Sequence, residues 1–272
     1  MTELQLPPLR HSREGGWTLI VEEPLAASLL TAGLIPALEN PDKGDGPTGR
    51  GAHRRLELAD GRAVILRRYR HGGMLARLTG ERFLGSGRFR REFEVARTAW
   101  ASGVPTARPV AVGWRGPVYP TRGWIATLAI PGARDMLAIF ARPIAATKRV
   151  TAARAAARAV RALHDAGIVH ADLHLKNLMV GEGPGGPGSA AWVIDLDLAR
   201  GGKGSLPLRD RISNLARLFR SVEKHRRAGL EIGEADIGAF CEEYFGEDSE
   251  GRRAAGGAMG LARLRARVHA KS

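Results

Sequence analysis

Two aliphatic runs, IVHADLHLKNLMV over residues 168 to 180 and AWVIDLDLAR over residues 191 to 200, are separated by the loop GEGPGGPG followed by Ser189 and Ala190. Glycine and proline at that density cannot continue a strand, so the runs are expected to form a two-strand pair. Both runs carry polar groups among residues that otherwise look buried. Asp172 and Asn177 stand on one arm and Asp195 on the other, so the pairing draws three oxygen donors together. Such a set suits a hard divalent cation, which takes oxygen ligands and leaves positions for water and substrate phosphates. Asn177 and Asp195 are the expected metal ligands. Asp172, at the start of the loop, can accept a hydroxyl proton or orient that hydroxyl. Asp and Asn also serve simply as turn and cap residues; three of them at these spacings between two aliphatic strands favour the site. His170 is expected to brace the loop by hydrogen bonds, and His174 and Asp197 are left without a role.

Upstream, residues 41 to 51, PDKGDGPTGRG, read as loop. HRRLELADGRAVILRRY then reads as a hairpin turning at Asp60-Gly61. RFRREFEVARTAWASG places Phe89, Phe93, Ala96 and Trp100 at helical spacing and closes on Gly103. VPTARPVAVGW and GWIATLAI look extended, so the first 131 residues read as strands around one helix. Beyond them the pattern turns helical, most clearly in residues 143 to 167, where Ile144, Val150, Ala153, Ala157, Val160 and Leu163 share a face up to Gly167. The remainder, from RDRISNLARLFRSVEKHRRAG onward, is mostly helical.

A chain of 272 residues, 44% of them apolar, can bury a sizeable core. The lone Cys241 excludes an intramolecular disulfide framework and a cysteine-based zinc cluster, which suits a reducing compartment. No run of about 18 apolar residues and no signal-peptide pattern is present, so export and membrane spanning are not expected. The net charge of +14 comes from 42 basic against 28 acidic residues, and only six of the basic ones are lysine. This excess favours anionic partners. Charge alone would suit a nucleic-acid-binding module.

HADLHLKN resembles the catalytic loop of the protein-kinase-like superfamily, and IDLDLAR resembles its metal-binding segment, with Asp197 where glycine is usual. VILRRYRHGG, REFEVARTAWASGVPTARPVAV and RLFRSVEK are similar to bacterial lipopolysaccharide kinases, particularly those acting on 3-deoxy-D-manno-octulosonic acid (Kdo). The likeness spans roughly residues 45 to 225. It implies an α+β, bilobal protein-kinase-like fold: a small antiparallel N-lobe (residues 1 to 131) with one helix, and a larger, mainly helical C-lobe (residues 132 to 272). It implies ATP and Mg2+ as cofactors, Gly49 and Gly51 in the loop over the phosphates, and an ion pair of Glu92 with a basic residue on the third strand. The usual lysine is missing there, and Arg67, with Arg68 beside it, takes the position. Lys176 would neutralise charge on the phosphoryl group in flight, beside Asp172. The implied reaction phosphorylates a Kdo hydroxyl of a lipid A-type glycolipid in the lipopolysaccharide inner core, at the cytoplasmic face of the bacterial inner membrane, with peripheral attachment to its anionic surface and no nucleic acid. A heptose, an antibiotic or a protein side chain as acceptor, or a pseudokinase without turnover, are the competing readings.

Overall fold

The structure, a computed structural model, describes residues 5–39, 53–69, 83–116, 119–196, 199–201 and 204–269, with side chains described up to residue 263. The chain divides into two compact units: one contains Glu3–Ala101 and Ala107–Ile130, the other Ser102–Thr106 and Pro131–Ser272.

The first unit is built on a six-stranded antiparallel sheet: β1 (Leu9–Glu14), β2 (Trp17–Glu22), β3 (His53–Glu57), β4 (Ala63–Arg68), β5 (Pro109–Arg115) and β6 (Arg122–Leu128). Its order is β1-β2-β5-β6-β4-β3. Alternation sends the two faces of each strand to different cores. Leu66 and Trp124 join Trp17 and Leu19 in one core; Tyr69 and Ile125 join Val112 in the other. The first core is covered by α1 (Glu23–Thr31) and α2 (Leu34–Glu39), through Leu25, Leu29, Leu34 and Leu38. The second receives α3 (Gly87–Ala101), which inserts Phe89 and Phe93. Phe89 stacks on Tyr69 with ring centroids 4.7 Å apart and meets Phe83 edge-on at 5.1 Å. A methyl group at Gly123 would stand 2.7 Å from the Phe89 ring, so glycine is what admits that ring to the sheet.

The expectation of one helix in this unit is therefore corrected to three among the described residues. The first forty residues also contribute β1 and β2, which extend the sheet through pairing of β2 with β5. Leu25 and Ala26 lie four and three residues before Leu29 and give α1 a buried stripe, but nine residues are too few for that stripe to stand out without its partner sheet. As expected, Gly61 and Gly103 adopt positive φ, at 82° and 76°, in the turn between β3 and β4 and just beyond α3 respectively.

The second unit runs β7 (Arg134–Asp135), α4 (Met136–Phe140), α5 (Ala146–Asp165), β8 (Ile168–Val169), a 3-10 turn (Leu175–Asn177), β9 (Leu178–Gly183), β10 (Gly186–Val193), β11 (Arg200–Gly201), α6 (Leu208–Arg227), α7 (Glu234–Phe245) and α8 (Ser249–His269). Asp135 caps α4 by accepting from the Ala138 amide at 2.8 Å. The buried face of α5 is mostly alanine, Ala152, Ala153, Ala155, Ala156, Ala157 and Ala159, ending in Val160 and Leu163. Such small side chains let the β9–β10 hairpin and α7 approach its axis closely, and α5 contacts both. Gly167, at φ 75°, ends it.

The two aliphatic runs do pair, with Leu178 opposite Val193 and Val180 opposite Ala191. The first run is not one strand, however. Val169 and Ile168 pair with Arg200 and Gly201, and residues 170 to 177 leave the ladder as a loop ending in the 3-10 turn. The side chains of His170 and Asn177 bond to backbone groups that a continuous strand would have paired. Among the described residues no helix is long and apolar enough to cross a membrane.

Candidate active site

The loop at residues 170 to 177 is held from beneath by His170, whose side chain is fully buried. Its Nδ1 accepts from the Asp172 amide at 3.1 Å, so Nε2 carries the proton and donates to the Ile194 carbonyl at 3.0 Å. Both ring nitrogens are thereby committed. His170 is a brace joining the loop to the residue before Asp195, and it is not available as a base. On the far side of its peptide, Asn214 of α6 accepts from the His170 amide at 3.0 Å and donates to the His170 carbonyl at 2.6 Å.

Asn214 belongs to a buried chain of polar groups. Its Oδ1 also accepts from His164 Nε2 at 2.9 Å, and His164 Nδ1 accepts from the Tyr244 hydroxyl at 2.6 Å. Arg211 donates to the Tyr244 oxygen at 3.3 Å and pairs with Asp165. Burial holds the His164 imidazole down to about 4, against the opposing pull of Asn214, so it is neutral at pH 7 and can accept from Tyr244. Burial likewise pushes the Tyr244 phenol up to about 12, keeping its proton in place. Sequence reading did not find Asn214, His164 or Tyr244. Asn214 had one visible signal: it is the lone amide in the stripe it forms with Leu215, Leu218, Phe219 and Val222.

On that support Asp172 projects outward: its side chain is 82% exposed, with His174 Nε2 at 3.4 Å. Its main-chain carbonyl accepts from Asn177 Nδ2 at 2.8 Å, which fixes the amide orientation and leaves Oδ1 as the Asn177 ligand atom. Asn177 and Asp195 are neighbours through the backbone, since the Ile194 amide donates to the Asn177 carbonyl at 2.9 Å. Asp195 has φ 64°, the one non-glycine residue with positive φ among those described. That conformation costs of order 1 kcal/mol or more and is characteristic of sites where a side chain must be aimed. One amide and one carboxylate oxygen fit a magnesium ion that keeps water and phosphate oxygens in its other positions. Among the described residues no group of three or more His, Cys, Asp or Glu could hold a metal ion by itself. Lys176 is exposed within the 3-10 turn.

In the other unit, register separates the two candidate arginines. Arg67 lies opposite Ile125 and Arg68 opposite Trp124, so they point to different faces. Arg67 shares the face on which Tyr69 and Ile125 pack with α3. Arg68 lies on the other and donates to the Leu38 carbonyl at 3.2 Å, at the end of α2. Glu92 is 5% exposed in α3 and accepts from Arg88 at 2.7 Å. Gly49, Gly51 and Asp197 lie outside the described residues.

Comparison with known proteins agrees with this geometry. The model of the lipopolysaccharide kinase (Kdo/WaaP) family matches residues 44–244. A 3-deoxy-D-manno-octulosonic acid kinase of Xylella fastidiosa (strain M12) is 30% identical over 200 residues, covering 72% of this chain and 73% of that protein. A protein of the same name from Xanthomonas campestris pv. campestris (strain B100) is 33% identical over 171 residues, covering 60% and 62%. Among solved structures, WaaP in complex with acyl carrier protein superposes with a TM-score of 0.61 at 23% identity, over 92% of this chain and 98% of that one, a likeness of fold.

Proposed function

The chain belongs to the lipopolysaccharide kinase (Kdo/WaaP) family, and from that premise we propose that it transfers the terminal phosphoryl group of ATP to a hydroxyl of Kdo borne on a lipid A-type glycolipid. It is a phosphotransferase with an alcohol group as acceptor. The observation that carries the reading is the combination at Asp172 of a backbone fixed on both sides with a carboxylate left open to solvent. A group that must meet an incoming hydroxyl needs that arrangement: a rigid base and an unspent acceptor.

Asp172 accepts the acceptor hydroxyl's hydrogen and aims its oxygen at phosphorus. Asn177 Oδ1 and the Asp195 carboxylate would hold Mg2+, which would supply neutralisation of the charge on the ATP phosphates. Lys176, exposed beside Asn177, supports the negative charge of the group in transfer. Arg67 anchors ATP phosphate from the sheet face shared with α3, and Glu92 orients that arginine. Its planar fork can take two phosphate oxygens where lysine would offer a point charge. Gly49 and Gly51 are the glycines proposed, from the family resemblance, to contact the ATP phosphates.

Attachment is peripheral, at the cytoplasmic face of the inner membrane. Exposed Arg209, Arg217 and Arg220 along α6 support it, since each basic residue near an anionic surface contributes about 1 kcal/mol.

The test is transfer of labelled phosphate from ATP to Kdo–lipid A, with heptose-bearing core and a protein substrate as competitors. Asp172→Asn is expected to lower kcat by roughly 10²- to 10⁴-fold. Because the side chain is exposed, its melting temperature should stay at the parental value. Full activity in the variant would overturn the assignment, and preference for heptose or protein would overturn the acceptor.

A further inference from the structure

The end of α6 lies directly against the catalytic loop, because the Leu175 amide donates to Ser221 Oγ at 3.3 Å. Lys224 and His225 follow Ser221 by three and four residues and share its side of the helix. His225 lies within electrostatic reach of a loop that is itself basic, through His174 and Lys176, and Lys224 adjoins His225 on the same turn. These groups act on one another: the His225 imidazole is pushed below its ordinary value first by burial, then by the charges of Lys224, Lys176 and His174.

Acids that could neutralise the cluster are engaged elsewhere. Glu223 pairs with Arg227 at 3.4 Å and Arg226 at 3.9 Å, and Glu234 pairs with Arg226 and Arg263 at 2.9 Å and 2.7 Å. Lys176 and Lys224 are exposed, and neither forms an ion pair among the described residues. Asp172 adjoins the cluster through His174, whose Nε2 lies 3.4 Å from its carboxylate. Two ammonium groups gathered near a catalytic carboxylate repel one another, with two imidazoles beside them as hydrogen-bonding groups, and a bound anion relieves that repulsion.

Resting on the function proposed above, we infer that Lys224 and His225, together with His174 and Lys176, receive the carboxylate of the acceptor sugar acid while its hydroxyl lies at Asp172. The carboxylate and the reacting hydroxyl belong to one small molecule, so the anion site has to adjoin the catalytic aspartate, as this one does. Neutral sugars forfeit the contact, and the cluster is a determinant of specificity for acidic acceptors.

Steady-state kinetics of the full chain test it, with Lys224→Ala and Lys224→Arg measured on three acceptors: Kdo–lipid A, its Kdo carboxamide, and the glycolipid stripped of its lipid A phosphates. Losing one charge-assisted contact at an exposed site should raise the KM of Lys224→Ala for Kdo–lipid A about tenfold. Its kcat should stay within about twofold and its KM for ATP should not move, as expected when binding common to ground and transition states is removed. Arginine at position 224 should restore most of the loss. On the carboxamide the parent and Lys224→Ala should have equal KM, whereas the dephosphorylated acceptor should keep the difference. An unchanged KM in Lys224→Ala, or an undiminished difference on the carboxamide, overturns the inference while leaving the kinase reading intact. A difference that vanishes on the dephosphorylated acceptor assigns Lys224 to the lipid phosphates and overturns it equally. A parent chain with no transfer to Kdo–lipid A overturns the function and this inference with it.

Discussion

Asn214 clasps the peptide of His170 from both ends, accepting from its amide at 3.0 Å and donating to its carbonyl at 2.6 Å. A side chain of α6 thus replaces the strand partner that His170 loses when the chain leaves the ladder. Removing it strands a buried amide, a buried carbonyl and the His164 N–H. Asn214→Ala should cost at least about 3 kcal/mol in denaturant unfolding, since each of the three buried polar groups left unpaired costs roughly 1–3 kcal/mol. Transfer activity should fall further than residual folding explains, because the backbone beneath Asp172 loosens.

The buried His164 sets a pH dependence. Its imidazole, ordinarily near 6.5, is held to about 4 in the native state. Between those values the unfolded chain binds a proton that the native chain refuses, so stability is fully present above pH 6.5 and declines as pH falls toward 4. The decline should total about 3 kcal/mol and level off at lower pH. Urea unfolding measured from pH 7.5 to 4 checks it, and His164→Gln should flatten that part of the curve.

Asp195 trades stability for placement. At φ 64° a glycine carries none of the strain an aspartate does. Asp195→Gly should shift the melting temperature by the equivalent of no more than about 1 kcal/mol, because relief of the backbone strain offsets the contacts of the side chain, while transfer activity is lost with the metal ligand. A calorimetric scan beside the transfer assay reads both.

Arg67 and Arg68 should separate cleanly. Arg67→Ala should raise the KM for ATP by about tenfold or more, the loss expected for a charge-assisted phosphate contact. Arg68→Ala should leave ATP kinetics alone and cost about 1 kcal/mol of stability, through the hydrogen bond to Leu38 at the end of α2. Equal effects of the two would contradict the face assignment made by the sheet register.

How much of this was legible beforehand depended on whether the signal was local. The turns at Gly61, Gly103 and Gly167 were legible because positive φ selects glycine whatever surrounds it. Pairing of Leu178 with Val193 followed from two aliphatic runs and a breaker between them. The segment from His170 to Asn177 read as part of a strand because Val169, Leu173 and Leu175 are aliphatic; the bonds that pull it from the ladder come from Asn214 and Ile194, 44 and 24 residues away. Arg67 and Arg68 could not be told apart until the partners Ile125 and Trp124 were known. The first forty residues yielded nothing, since α1 and α2 bury their leucines against a sheet made largely of later residues.

By itself the sequence determined the chemistry on offer: which oxygens, which cations and which breakers stand within a few residues of one another, because covalent spacing and backbone φ are short-range properties. Only the tertiary structure decided which of them meet. Burial of His170, the grip of Asn214 and the approach of His225 to the catalytic loop all join residues distant in the chain, and a hydrogen bond or a charge acts over ångströms of space irrespective of the residues between.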